Sequence, residues 1–126
     1  AVGAPDTRSK LITEGKLVSY GIQFDVNSDK IKPESFATIK EIAQVLKDNP
    51  TVKIKIIGHT DSDGDDASNM DLSKRRAASV KAELSNTWSI DAARLETDGK
   101  GESTPLAPND SGINKAKNRR VEFIKL

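Results

Sequence analysis

One stretch limits the folds open to this chain more than any other: an apolar strand, a glycine, an acidic loop and a helix carrying an arginine on its inward face. Val52-Lys53-Ile54-Lys55-Ile56-Ile57 puts Val52, Ile54 and Ile56 on one side and Lys53 and Lys55 on the other, as a half-buried strand would. The strand is expected to break at Gly58, and Ser62-Asp63-Gly64-Asp65-Asp66 is rich in turn formers. From about Asn69, the spacing of Leu72, Ala77, Val80 and Leu84 predicts a helix. Arg76 lies four residues after Leu72 and four before Val80, so it falls on the apolar stripe. Arg75 points about 100° away from it.

An inward arginine is costly unless paired or hydrogen-bonded. The nearest acid that fits is Asp61, 15 residues upstream at the end of the preceding strand. Spacing alone leaves two readings open. In one, Asp61 shapes a turn and Arg76 closes a structural ion pair. In the other, the two charges form a receptor for a zwitterion. A calcium loop is excluded: Asp61, Asp63 and Asp65 alternate, but Asp66 and Leu72 stand where an EF-hand needs Gly and Glu.

The remaining chain supplies a second helix and more strands. Ala1 to about Lys16 is a polar, irregular lead that reads as linker. Leu17 to Phe24 has strand composition, with Ile22 and Phe24 on one face, and Asp25 or Asn27 then suits an Asx turn. Pro33 and Glu34 favour a helix start, Phe36, Ile39, Ile42, Ala43 and Leu46 form an apolar face, and Asp48-Asn49-Pro50 ends it. After the later helix, Asn86 to Ser89 breaks the pattern, with Trp88 read as a core plug or lid, and a strand follows at Leu95–Thr97. Gly99 to Gly112 reads as a long loop before a final strand holding Val121 and Phe123 on one face. The order βαβαββ predicts an α+β two-layer sandwich, two main helices on a mixed four-stranded sheet spanning residues 17–126. Alternation sends Arg119 and Arg120 to opposite sides, so at most one faces a site near Asp61.

Composition excludes several function classes. The chain has 126 residues, 20 Lys plus Arg against 19 Asp plus Glu, and no cysteine. A net charge of +1 gives no basic footprint for nucleic acid, so none is expected as a partner. Disulfides and thiolate metal sites are ruled out. His59 is the one histidine and, with carboxylates alone, makes a poor zinc site. No metal or cofactor is therefore expected. No serine sits in a nucleophile elbow, and His59, two residues from Asp61, reads as a turn-stabilising residue rather than a base. No apolar run approaches the ~18–20 residues that span a bilayer. Membrane attachment is expected only through an anchor upstream of this chain.

Taken together, Gly58-His59-Thr60-Asp61, Gly64, Asn69, Leu72-Ser73, Arg76-Ala77 and Val80, followed by Gly99-Lys100-Gly101-Glu102, Pro105 and Asn118-Arg119-Arg120-Val121-Glu122, resemble the OmpA-like peptidoglycan-binding domain. That family includes the C-terminal domains of outer-membrane OmpA proteins, the peptidoglycan-associated lipoproteins and the flagellar stator protein MotB. The likeness runs from about Tyr20 to Leu126. It implies non-catalytic binding of cell-wall peptidoglycan in the periplasm of a Gram-negative envelope, tethering an outer-membrane protein to the wall. It further implies that Asp61 holds the ammonium of meso-diaminopimelate in the stem peptide and Arg76 its carboxylate. Asn27 in an F-D-x-N loop, Asn69 and Arg119 are the accompanying ligand residues; Arg120 is left to a salt bridge or a rim position. Asn114-Lys115 stands where many members carry Gly-Arg, so any contact made by that arginine is in doubt. The alternative is an envelope protein-interaction module that does not bind the wall directly, and a homodimer is an assembly compatible with either reading.

Overall fold

The computed structural model describes residues 11, 14–19, 22–24, 28–60, 66–101 and 118–126. Four strands form one sheet in the order β1-β4-β2-β3: β1 Lys16–Ser19, β2 Ile54–His59, β3 Leu95–Gly101 and β4 Val121–Lys125. β4 runs antiparallel to both neighbours, and β2 runs parallel to β3. Helices α1 Phe36–Asp48 and α2 Asp66–Asn86 complete the βαβαββ order. This is the expected two-layer α+β arrangement on a mixed sheet.

The core lies between sheet and helices. Ile54 and Ile56 of β2, Val121 and Phe123 of β4, Ile39, Ile42 and Leu46 of α1, and Ala77, Val80 and Leu84 of α2 are all buried there. Leu11, inside the segment expected to be linker, is fully buried and belongs to the same cluster. Phe36 departs from its predicted face: it is the first residue of α1, just after the 3-10 turn Pro33–Ser35, and is exposed. Trp88 packs partly buried against the core, with Lys47 Nζ 5.7 Å from its ring centre. Arg94 joins α1 to β2 by donating to the carbonyls of Leu46, Asn49 and Val52, which satisfies acceptors at a helix end.

Element boundaries differ from expectation where glycine was read as a breaker. β2 does not stop at Gly58 but continues to His59. Gly58 is there because α2 crosses the sheet very closely: a Cβ at this position would collide with the Ser73 carbonyl oxygen. Gly99 and Gly101 extend β3 beyond the expected Thr97 for the same reason, facing Ser73 with Lys74, and Met70, respectively. Helix α2 starts at Asp66, three residues before the expected Asn69. At the other edge, β1 is short, and Phe24 makes an isolated antiparallel bridge with Ile31. The remainder of the expected loop, residues 102–117, lies outside the described residues. Among the described residues, no helix is long and apolar enough to cross a membrane.

Candidate functional site

Helix α2 is locked to the sheet at the end where β2 runs out. Fully buried Ser73 donates to the Met70 carbonyl at 2.8 Å and accepts the Gly101 N–H at 2.9 Å. Buried Thr60, next along the chain from β2, donates its N–H to the Gly101 carbonyl at 2.8 Å. These bonds fix the register of the helix on which Asn69 and Arg76 sit seven residues apart, two turns along one face. Asn69 is buried.

Arg76 is half-buried, consistent with its place on the Leu72–Val80 stripe. Nε donates to the Ser28 carbonyl at 2.9 Å, and the guanidinium carbon stands 4.9 Å from the centre of the Phe24 ring. Arg75, on the neighbouring face, bonds Asp71 one turn back at 2.8 Å and reaches Asp29 at 3.9 Å. Two successive arginines of α2 therefore both contact the 28–29 segment. Neither Phe24 nor Ser28 was singled out as an arginine partner from sequence; they are 52 and 48 residues away in the chain, and no local pattern signals such a contact.

Arg119 is exposed just before β4. Asp61 and Asn27 lie outside the described residues. The described part of the predicted set is thus Asn69 and Arg76 on one helix face and Arg119 at the entry to β4.

A second charged group occupies the sheet face opposite the one packed on α1 and α2. Glu122 Oε1 accepts from Arg120 Nε at 2.9 Å and lies 3.3 Å from His59 Nε2, while Lys16 Nζ is 3.4 Å from Oε2. Arg120 also donates to the Asn118 carbonyl at 3.3 Å. Arg120 therefore closes a buried salt bridge, one of the two roles left to it, and His59 is a buried strand residue rather than part of a turn. Burial lowers the His59 pKa to about 4, with the Arg120 charge adding to the effect, so the ring is neutral at physiological pH. Burial alone would raise Glu122, but the Arg120 hydrogen bond and the surrounding positive charge hold it below the usual carboxylate range. Further along this face Asp98 lies 3.3 Å from Lys100 and 3.8 Å from Lys55. The Gly99 N–H, followed by Lys100, holds that carboxylate below its ordinary pKa.

Residues 23–119 match the OmpA family. The chain belongs to that family. It is 40% identical over 111 residues to outer membrane porin F of Pseudomonas aeruginosa, covering 88% of this chain and 32% of that protein. With the probable lipoprotein YiaD of Escherichia coli it shares 43% identity over 102 residues, 81% of this chain and 46% of the other. It thus spans about a third to a half of these relatives' length. Its fold is similar to the periplasmic domain of Helicobacter pylori MotB, with a TM-score of 0.74 and 30% identity over 87% of this chain and 70% of that one. It is also similar to the peptidoglycan-associated lipoprotein of Burkholderia pseudomallei, with a TM-score of 0.75 and 28% identity over 83% and 88% of the two chains.

Proposed function

We propose that this OmpA-family domain binds cell-wall peptidoglycan without catalysis and recognises the zwitterionic end of meso-diaminopimelate through Asp61 and Arg76. The observation that carries the reading is the setting of Arg76: an arginine on the inward stripe of α2, oriented by the Ser28 carbonyl and the Phe24 ring. Asp61 follows Thr60 at the end of β2, and Asn27 precedes Ser28, the residue that meets Arg76. Asn27, Asn69 and Arg119 complete the ligand set. The solved neighbours, one a peptidoglycan-associated lipoprotein and one a MotB periplasmic domain, support a wall-facing role in the periplasm. Its outer-membrane relatives support attachment of the whole protein to that membrane, with this domain as the tether to the wall.

The chemistry suits the ligand. The distal carbon of diaminopimelate bears an ammonium and a carboxylate, and an Asp/Arg pair complements both. Arginine can hold a carboxylate by two parallel hydrogen bonds. Charge-assisted bonds of this kind contribute roughly 1.5–3 kcal/mol each, and many copies facing one polymer turn a modest affinity into firm attachment.

Sedimentation with insoluble sacculi tests the reading. The domain is expected to bind diaminopimelate-type sacculi better than lysine-type sacculi, because lysine keeps the ammonium and lacks the carboxylate. Asp61→Asn, which retains shape and removes charge, is expected to weaken binding. Equal binding to the two walls, or full binding by Asp61→Asn, would reject the zwitterion site. Release of soluble muropeptides would point to an enzyme instead.

A further inference from the structure

The setting of Arg76 singles out a residue that does not itself present a charge to any ligand. We infer that Phe24 is a positioning residue whose ring fixes the plane and direction of the Arg76 guanidinium, so that charge recognition depends on an aromatic side chain 52 positions upstream. The inference rests on the Arg76 reading above and deepens it.

Three observations carry it. First, the guanidinium carbon is 4.9 Å from the ring centre, inside the ~6 Å range in which an arginine is attracted to an aromatic face. Second, the ring is mounted on a fixed backbone. The neighbouring Gln23 N–H donates to the Ser35 hydroxyl at 2.7 Å, the Gln23 carbonyl accepts from the Lys32 N–H at 2.9 Å, and Phe24 bridges Ile31. Ser35 is fully buried at the start of α1, so this mounting ties Phe24 to the body of the domain. Third, the Ser28 carbonyl holds Nε from a different direction at 2.9 Å. A ring under the guanidinium and an acceptor at Nε restrict rotation about separate axes. A long side chain held this way has given up its rotamer freedom before a ligand arrives, which lowers the ordering cost of binding. The hydrophobic side of Phe24 meanwhile packs against the core. An aliphatic residue of similar size keeps that packing and loses only the attraction to the cation.

The experiment compares Phe24→Leu, Phe24→Tyr and Arg76→Ala with the parent, each by sedimentation with diaminopimelate-type and lysine-type sacculi and each with a thermal melt. Phe24→Leu is expected to lose roughly threefold to tenfold in binding to diaminopimelate-type sacculi. Its binding to lysine-type sacculi should be unchanged, so the preference between walls narrows. Phe24→Tyr should restore both values. A general loss of folded protein would lower binding to both walls alike and leave their ratio intact, so that outcome overturns the inference. Full binding by Phe24→Leu, or failure of Phe24→Tyr to rescue, overturns it as well. If Arg76→Ala binds like the parent, the zwitterion reading itself falls and takes this inference with it. If only Arg76→Ala loses binding, that reading stands and the role of Phe24 does not.

Discussion

Arg76, on helix α2, and Arg120, just before β4, are both withdrawn from solvent, and their surroundings differ in kind. Arg120 has a side chain only 3% exposed and is bonded to a carboxylate, Glu122, that is 7% exposed, with His59 and Lys16 closing around it. There the arginine is paired directly with a buried carboxylate. Arg76 is half-buried, with Nε bonded to a backbone carbonyl and its guanidinium over an aromatic ring. A buried arginine discharged by its own network holds the fold together.

The largest effect expected from this contrast is on stability. Arg120→Ala leaves the Glu122 carboxylate buried with reduced compensation, and breaking a buried pair from one side costs about 3–5 kcal/mol. Urea denaturation should show that loss. Replacing both partners by apolar residues, Arg120→Met with Glu122→Leu, should recover a large part of it, because no orphaned charge remains. Sacculus binding per folded molecule should be unchanged in either variant. If Arg120→Ala weakens binding beyond its effect on folding, the division between a structural and a ligand-facing arginine is wrong.

The same cluster makes stability depend on pH. His59 titrates near 6.5 in the unfolded chain and near 4 in the folded one, so between these values the unfolded state binds the proton first. Stability therefore falls as pH drops from about 6.5 to about 4, by roughly 2–3 kcal/mol. Glu122 acts in the same direction at lower pH. Its folded pKa is depressed, so its contribution is present above the unfolded value of about 4.5 and is lost as pH falls through the folded value. Urea midpoints at pH 7, 5.5 and 4.5 should decline in that order, and His59→Gln should flatten the part above the carboxylate range. A slope that His59→Gln leaves intact would assign the pH response elsewhere.

The two arginine settings were not equally legible in the sequence. Arg76 was visible because helical periodicity places it between Leu72 and Val80, and an inward charge demands an explanation. The contacts that aim it were not, since they come from Phe24 and Ser28, which only tertiary structure brings to α2. The fold order could be read from alternating strands and amphipathic helices. Gly58 misled because glycine marks both chain breaks and close approaches, and only tertiary contact tells them apart. His59 misled for a related reason: once the strand continues through Gly58, His59 becomes a strand residue and meets Glu122 of the neighbouring strand. Phe36 showed the limit of periodicity at helix ends: it is the first residue of α1 and is exposed although it fits the apolar spacing.

The smallest expected effect sharpens the contrast from the Arg76 side. Arg75 also reaches the 28–29 segment, but its bridge to Asp29 is 3.9 Å long, with side chains 46% and 45% exposed. An exposed pair of this kind is worth roughly 0–1 kcal/mol, and less as salt screens it. Arg75 has a shorter alternative in Asp71 at 2.8 Å, so losing Asp29 would not leave it stranded. Asp29→Asn should therefore leave the thermal midpoint and the preference for diaminopimelate-type sacculi within error of the parent. The Ser28 carbonyl would still be held to the domain by the Phe24–Ile31 bridge and the Gln23–Lys32 bond on either side of the segment. If Asp29→Asn instead reduces wall preference as much as Phe24→Leu does, the surface ion pair, and not the ring, is what keeps this segment closed over Arg76.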